Sequence, residues 1–152
     1  MQLAVLRAAA YGMQVDPEKV KYPDYEMLGA YEDGKLQASV AIRPYECRWG
    51  NTWLPALGVG GVATLPLSRR SGLIRSLFGE LDRLSVERGW AFGMLYTFSY
   101  RYYRQFGYEQ ILPRVTITVP FSDLNAFDRN ADGEVYDGSQ REALLALYHR
   151  YA

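Results

Sequence analysis

The feature that most constrains the fold is a long amphipathic helix that the sequence predicts between two β-type segments. Its apolar residues recur every three or four positions after Pro66, and Gly89 is a typical helix-ending residue. These apolar positions are Leu73, Ile74, Leu77, Leu81, Leu84 and Val86. Gly58 to Leu65 before the helix is predicted as a buried strand, and Trp90 to Tyr96 after it as a central strand buried on both faces. The order predicts a sheet with a helix packed against it.

Turn signals upstream of this unit predict hairpins. Asp33-Gly34 and Gly50-Asn51 each lie between β-rich runs. The strands of the first hairpin are predicted at Tyr25 to Tyr31 and Leu36 to Ile42, and those of the second at Tyr45 to Trp49 and Thr52 to Leu54. Most strands of the sheet are therefore expected before the long helix.

The sequence after Tyr96 predicts smaller elements. Ser99 to Phe106 is predicted as a short helix that ends at Gly107, and Tyr108 to Leu112 and Val115 to Val119 as a last pair of strands. Ser139 and Glu142 have the spacing of a capping box and predict a final helix.

Domain boundaries follow from these patterns. Residues 1–124 are expected to form one domain, residues 125–138 a polar linker, and residues 139–152 the start of a second, truncated domain. A helical face at Leu3, Leu6 and Ala10 opens the chain without a preceding strand, so an N-terminal strand is expected to be missing.

Composition narrows the function classes. The 152 residues are 49% hydrophobic, and Lys plus Arg equals Asp plus Glu at 17 each, so no net field favours nucleic acid or an anionic membrane. Cys47 is the single cysteine, and the sequence has neither a long apolar run nor a signal-peptide pattern. A soluble cytoplasmic protein without nucleic-acid or membrane partners is expected.

The chemically informative segment is SRRSGLIR, where the predicted strand turns into the long helix. Backbone N–H groups of a first helical turn and the positive end of the helix dipole attract anions, and Gly72 permits close approach. Arg69, Arg70 and Arg75 add charged donors. The alternative is an exposed basic helix start without a ligand. The segment is neither a Walker loop nor GxGxxG.

Two segments together, GVATLPLSRRSGLIRSL and YTFSYRYYRQFGYE, resemble the GNAT acetyltransferases of the Eis (enhanced intracellular survival) type. The first is similar to the family's acetyl-CoA loop and the second to its (F/I)Y-x-x-(F/Y)-G-(Y/W) signature. Looser similarity extends from about Tyr11 to Leu124, and the remainder resembles the start of the family's second acetyltransferase-like domain.

The resemblance implies an α/β (α+β) GNAT fold: a mixed, mostly antiparallel sheet with helices on both faces, splayed between Gly61 to Leu65 and Trp90 to Tyr96. It implies acetyl-CoA as cosubstrate, no metal, and direct acetyl transfer to a primary amine, either of a small molecule or of a lysine side chain. A homo-oligomer is implied for the full-length form. The rival hypothesis is a non-catalytic acyl-CoA-binding or assembly domain.

The resemblance also implies residue roles. Phe98 and Ser99 match positions that meet the cofactor across the splayed sheet, and Tyr103 matches the proposed general acid for the coenzyme A thiolate. A phenol suits that role because its ordinary pKa near 10 keeps it protonated at pH 7; the alternative is a plain core aromatic. The pantetheine arm is expected beside Val62, Ala63 and Thr64. The pyrophosphate is expected at Arg69, Arg70, Ser71, Gly72, Leu73, Ile74 and Arg75.

Other signals are weaker. Asp128, Asn130, Asp132 and Gly133 begin a calcium loop, but Ser139 stands where the chelating Glu belongs, so an interdomain turn is favoured. His149 is expected on a helix surface. Trp49 and Trp53 are expected in ordinary sheet packing, with the lining of an acceptor pocket as the alternative. Asp24, Glu26 and Glu46 are candidates for an acidic lining that would bind a cationic acceptor.

Overall fold

The structure is a computed structural model that describes residues 2–14, 25–113, 115–126 and 135–151. It divides into two compact units, Met1–Leu112 and Pro113–Ala152. The boundary falls before the predicted end of the first domain at residue 124, and the predicted domain scheme stays a prediction.

The first unit contains a mixed sheet with the strand order β1-β2-β3-β4. Strands β1, β2 and β3 pair antiparallel, whereas β4 runs parallel to β3. The elements are α1 (Gln2–Tyr11), β1 (Glu26–Glu32), β2 (Lys35–Trp49), β3 (Thr52–Thr64), α2 (Leu73–Arg88), β4 (Phe92–Leu95) and α3 (Tyr100–Arg104). This confirms the predicted α/β class and the mostly antiparallel sheet.

The two predicted hairpins share one strand, because β2 and β3 are longer than the sequence suggested. Pro44 and Pro55 separated the predicted segments, yet both lie inside strands. Strand β1 pairs only as far as Ile42, and β4 pairs from Ala56 onward. Each proline therefore lies beyond the end of one neighbouring strand, where its missing N–H costs no ladder hydrogen bond.

Helices cover both faces of the sheet. Side chains alternate between the faces of a strand, and all residues from Ala38 to Ile42 are buried. Val40 and Ile42 pack against α2 in the main core. On the other face, Ala41 lies beside Gly61 and the Arg7 guanidinium of α1. The predicted two-sided packing is confirmed.

Helix α2 follows the predicted apolar pattern, except that Phe78 and not Val86 belongs to the buried face. Ile74, Phe78 and Leu81 lie on the buried face at helical spacing, whereas Val86 is exposed. Phe78 belongs to the stripe because it follows Ile74 by four residues. Gly89 ends the helix with φ 68°, the left-handed conformation that favours glycine.

Strand β4 is shorter and less buried than predicted. It extends only from Phe92 to Leu95, and its residues are partly or fully exposed. Within the described residues β4 pairs with β3 alone, so it is the edge of the sheet. The prediction of a strand buried on both faces was wrong, because an apolar run does not by itself supply a second neighbour.

The two strands predicted after α3 are also not formed. The described residues from Tyr108 to Val119 have no strand structure, and Val115 and Ile117 are exposed. Alternating apolar residues form a strand only when another strand supplies hydrogen-bond partners. Within the described residues no strand does so here.

The second unit contains a 3₁₀ helix (Phe121–Ala126) and α4 (Arg141–Tyr151). Helix α4 begins later than the predicted Ser139 cap, and the Ser139 backbone N–H donates to the Asp137 carboxylate at 2.8 Å. Most of the predicted linker, residues 127–134, lies outside the described residues, and so do the calcium-loop residues at 128–133.

Candidate active site

The sheet opens between β3 and β4. The two strands pair from Ala56 opposite Phe92 to Val59 opposite Leu95. Strand β4 then ends, whereas β3 continues to Thr64. The last residues of β3, from Gly60 to Thr64, therefore have an edge that β4 does not pair.

A bulge bends β3 where this edge begins. Strand β2 pairs Ala41 with Gly60 and Ser39 with Ala63, so β3 has an extra residue between these pairs. Gly61 has φ 54°, which favours glycine. The next residues are Val62, Ala63 and Thr64, the predicted pantetheine strand. Their position at the open edge suits pairing with an extended ligand.

The connection from β3 to α2 ends in a left-handed turn. Pro66–Ser68 form a 3₁₀ turn, and the Ser71 hydroxyl donates to the Ser68 carbonyl at 2.6 Å. Arg70 has φ 66° and Gly72 has φ 85°. A Cβ on Gly72 would meet no protein atom within 4 Å, so among the described residues it is the positive φ that favours glycine here.

Gly72 leaves the start of α2 without a side-chain cap. The Ser76 N–H donates to the Gly72 carbonyl at 3.0 Å, so the N–H groups of Leu73, Ile74 and Arg75 precede the first helical hydrogen bond. Arg69, Arg70, Ser71 and Gly72 are exposed. Free donors and the helix dipole at an exposed end attract an anion such as a phosphate.

Two of the three arginines are fixed by neighbouring elements. Arg69 donates to the Ala10 carbonyl at the end of α1 at 3.4 Å. Arg75 donates to the Gln105 amide oxygen at 2.9 Å and lies over the Phe106 ring. The start of α2 is thereby connected with α1 and with the residues that follow α3.

Phe98 and Ser99 lie between β4 and α3. Ser99 is the N-cap of α3, because its hydroxyl accepts from the Tyr102 N–H at 3.3 Å. Phe98 is 82% exposed, and its ring centroid lies 5.8 Å from those of Tyr102 and Tyr103. Phe98 therefore has an exposed aromatic surface, whereas the Ser99 hydroxyl caps α3.

Tyr103 is 5% exposed and has aromatic neighbours on several sides, among them Phe78 and Tyr108. Burial, followed by the nearby phenols of Tyr102, Tyr11 and Tyr108, raises the pKa of Tyr103 to about 12. Its hydroxyl is therefore protonated at neutral pH, as a proton donor requires.

The sequence analysis did not identify three further residues near the open edge of β3: Arg7, Tyr11 and Tyr25. The Tyr11 hydroxyl donates to the Val62 carbonyl at 2.9 Å, so α1 reaches the open edge of β3. Arg7 donates to the Tyr25 hydroxyl at 2.8 Å. The spacing of Arg7 and Tyr11, four residues apart in a helix, could have shown that they share a face.

Glu26, suggested as part of an acidic lining for a cationic acceptor, is instead paired with Arg88. Both of its carboxylate oxygens accept from Arg88, at 2.6 and 2.8 Å. The hydrogen bond from Arg88 lowers the pKa of Glu26. Glu46 lies opposite Pro55 in the β2–β3 ladder, and Asp24 is outside the described residues.

The remaining signals have plain outcomes. Trp49 and Trp53 are both exposed, and the Trp49 ring lies 6.3 Å from that of Phe92. His149 is exposed on α4. The described part of the chain contains no group of three or more His, Cys, Asp or Glu residues suited to a metal, and none of its helices is long and apolar enough to cross a membrane.

A sheet that opens between parallel strands, with a helix N-terminus beside the opening, suits an extended ligand that has an anionic group. Residues 2–111 match the family model described as "Acetyltransferase (GNAT) domain". The chain therefore belongs to the GNAT acetyltransferase family, whose members use acetyl-CoA and transfer acyl groups.

Solved structures support the same fold. A probable N-acyltransferase of unknown function from Enterococcus faecalis V583 is 27% identical, with a TM-score of 0.64 over 72% of this chain and 29% of that one. Eis1 from Mycobacterium abscessus is 20% identical, with a TM-score of 0.59 over 70% of this chain and 28% of its own. A GCN5-related N-acetyltransferase from Kribbella flavida is 21% identical, with a TM-score of 0.57 over 68% of this chain and 29% of its own.

The chain thus spans less than a third of each of these proteins. The likeness to Eis1 extends to the fold, and the assignment to the Eis type stays a prediction, as do the oligomeric state and the cytoplasmic location. No curated protein sequence matches this chain significantly.

Proposed function

We propose that this protein is an N-acetyltransferase that moves the acetyl group of acetyl-CoA directly to a primary amine. The observation that most supports this function is the sequence of two features: the edge of β3 at Val62–Thr64 that β4 does not pair is followed, after the short connection through Pro66–Ser68, by the uncapped N-terminus of α2. An extended arm ending in a pyrophosphate requires an open strand edge followed by an anion site.

The start of α2 fits the pyrophosphate. Gly72 directs the chain into the helix without a side chain that competes for the free N–H groups of Leu73, Ile74 and Arg75. Arg69 and Arg70 are exposed beside them and supply charge-assisted hydrogen bonds. Ser71 is committed to the Ser68 carbonyl and contributes its backbone N–H.

The open edge of β3 fits the pantetheine arm. Val62, Ala63 and Thr64 present backbone groups to the arm, so their side chains matter little for it. Tyr11 already occupies the Val62 carbonyl at 2.9 Å. The arm therefore pairs with the other backbone groups of this edge, and its pairing begins after the Val62 carbonyl. Phe98 provides an exposed aromatic wall after β4.

Tyr103 is the proposed general acid. Bound acetyl-CoA supplies a thioester: the amine nitrogen bonds to the acetyl carbon, the carbon–sulfur bond breaks, and the sulfur leaves as a thiolate. The Tyr103 hydroxyl donates its proton to that sulfur, and the amine gives up a proton to solvent or to a general base. The phenol is protonated at neutral pH, so its proton is present when the thiolate develops.

Support for Tyr103 at this place comes from its neighbours. Its ring lies 5.8 Å from that of Phe98, which follows β4. The Tyr11 phenol, one of the groups that raise the pKa of Tyr103, bonds to Val62 in β3. Tyr103 is therefore close to groups from both strands that flank the opening.

The experiment that tests the proposal measures coenzyme A release from acetyl-CoA with a panel of primary amines, alongside coenzyme A affinity by calorimetry. Binding together with amine-dependent release is the expected result. Binding without release for any amine would instead favour the rival function, a non-catalytic acyl-CoA-binding domain. Absence of binding would reject both.

A further inference from the structure

A cavity of about 390 Å³ lies beside the bulge of β3, within the size range of small-molecule sites. The described residues that line it are Ala4, Arg7, Tyr11, Met13, Tyr25 and Gly61. They include no acidic residue. Gly61 directly precedes Val62, so the cavity adjoins the proposed pantetheine strand. A ligand in it would be next to the thioester under the proposed function.

Arg7 is the one charged residue in that lining, and its charge lacks a counterpart among the described residues. Its Nη2 donates to the Tyr25 hydroxyl at 2.8 Å and contacts the Met27 sulfur at 4.0 Å. Its Nε is shielded from solvent without any hydrogen-bond partner in the described part of the chain. Partial burial of an unpaired guanidinium is unfavourable, and a nearby anion would offset the cost.

The surroundings strengthen the positive potential. The Arg43 guanidinium lies 4.4 Å from the centroid of the Tyr25 ring, so Tyr25 has arginines on two sides. Because Tyr25 accepts from Arg7, its own O–H proton remains free to donate. Arg7 and Tyr25 therefore form a pair of donors in the cavity lining, which suits a carboxylate or a phosphate.

Tyr11, next to this pair in the lining, has a different character. Tyr11 donates its proton to the Val62 carbonyl, so its oxygen keeps lone pairs that accept from an amine N–H. This acceptor lies on the side of the cavity next to Val62. A small molecule with both an anion and an amine can thus pair its anion with Arg7 and Tyr25 and its amine with Tyr11, whose hydroxyl is bonded to Val62 of the proposed pantetheine strand.

Gly61 makes the close approach of Arg7 possible. A Cβ on Gly61 would lie 2.9 Å from the Arg7 Nη2. A side chain at this position would displace the guanidinium, so the bulge and the arginine form one arrangement.

We propose that this cavity, called here the Arg7 pocket, binds the acceptor, and that the acceptor is a small primary amine with an anionic group, such as an amino acid. The inference rests on the proposed acetyl transfer for the identity of the ligand as acceptor. The sequence suggested an acidic lining and hence a cationic acceptor. The Arg7 pocket instead suits an acceptor with a negatively charged group.

The test uses reaction-product analogues, so that binding is measured without turnover. With coenzyme A present, N-acetylglycine should bind at least about tenfold more tightly than N-acetylglycinamide, because only the acid has the charge that Arg7 pairs with. N-acetyl-phosphoethanolamine replaces the carboxylate with a phosphate and decides which anion the pocket prefers. NMR titration measures the affinities.

Arg7→Gln should abolish the preference for the acid, whereas Arg83→Gln, which removes an exposed guanidinium of α2 paired with Glu80 and Glu87, should keep it. If Arg7→Gln fails to fold, Tyr25→Phe should still weaken acid binding several-fold. Equal binding of acid and amide by the unaltered protein, or a preference that survives Arg7→Gln in a folded variant, would overturn the inference. Failure of acetyl transfer with every amine would refute the proposed function alone.

Discussion

The start of α2 and the aromatic cluster around α3 flank the same opening but are built from different parts of the chain. At α2 the groups proposed to bind the ligand are backbone N–H groups that follow an exposed turn, in which Gly72 has φ 85°. Around α3 the proposed general acid is one phenol, Tyr103, which is buried among neighbouring rings. The first arrangement suits binding, and the second suits proton transfer. Substitutions in the two regions should therefore change different kinetic constants.

The largest expected effect is that of Tyr103→Phe. Removal of this hydroxyl should lower kcat roughly 10² to 10⁴-fold, the usual contribution of a positioned acid, with little change in coenzyme A affinity. Steady-state kinetics and calorimetry measure the two quantities.

Tyr102→Phe is the matched control, because it removes a hydroxyl from the same short helix and leaves the ring in place. Full turnover in Tyr103→Phe would return Tyr103 to the role of a core aromatic. Equal losses in both variants would point to the cluster as a whole.

Gly72→Val is expected to have a smaller effect, and to change coenzyme A affinity rather than kcat. A β-branched residue strains at φ 85°, at a cost on the order of 1–3 kcal/mol, and the turn that presents the N–H groups would shift. Coenzyme A affinity should fall roughly 10 to 100-fold, with kcat at saturation nearly unchanged.

Gly79→Val makes the same substitution inside α2, where a Cβ meets no atom within 4 Å and φ is not positive. Its affinity for coenzyme A should equal that of the unaltered protein. An equal loss in both glycine variants would mean that the start of α2 has no special role.

The smallest expected effect is on stability at alkaline pH. Burial raises the pKa of Tyr103 and of Tyr108 to about 12. Between the ordinary value near 10 and this folded-state value, the unfolded chain loses these protons and the folded chain keeps them. The free energy of unfolding should therefore fall as the pH rises from 10 to 12, by roughly 1–3 kcal/mol.

Urea titrations at several pH values measure this slope. Tyr108→Phe should flatten it, and Tyr31→Phe, at an exposed position in β1, should not. A slope unaffected by Tyr108→Phe would show that the buried phenols do not control it.

The two regions also differed in how far the sequence predicted them. The start of α2 was predictable because local signals agree there: Pro66 ends the strand region, Gly72 and Gly89 bound the helix, and the apolar stripe has helical spacing. Backbone-built sites depend on such local signals. The resemblance added roles for Phe98 and Tyr103, which no local pattern assigns.

The rest depended on long-range contacts. The bonds from Tyr11 to Val62 and from Arg7 to Tyr25 join residues far apart in sequence, and no periodicity reveals them. The strands predicted near Val115 and Ile117 failed for the same reason, since a β pattern does not state whether a partner is present. The predicted strands did not include Pro44 and Pro55, although both lie within strands. Whether a strand accepts a proline depends on where its neighbouring strands end, which is a long-range property.

The measurement that tests the central claim most directly is a comparison of backbone amide NMR shifts on titration with coenzyme A and with pantetheine. Coenzyme A should shift the amides of Val62 to Thr64 and of Gly72 to Arg75. Pantetheine lacks the pyrophosphate and should shift the first group alone. If coenzyme A left Gly72 to Arg75 unchanged, or if pantetheine shifted them equally, the start of α2 would not be the pyrophosphate site.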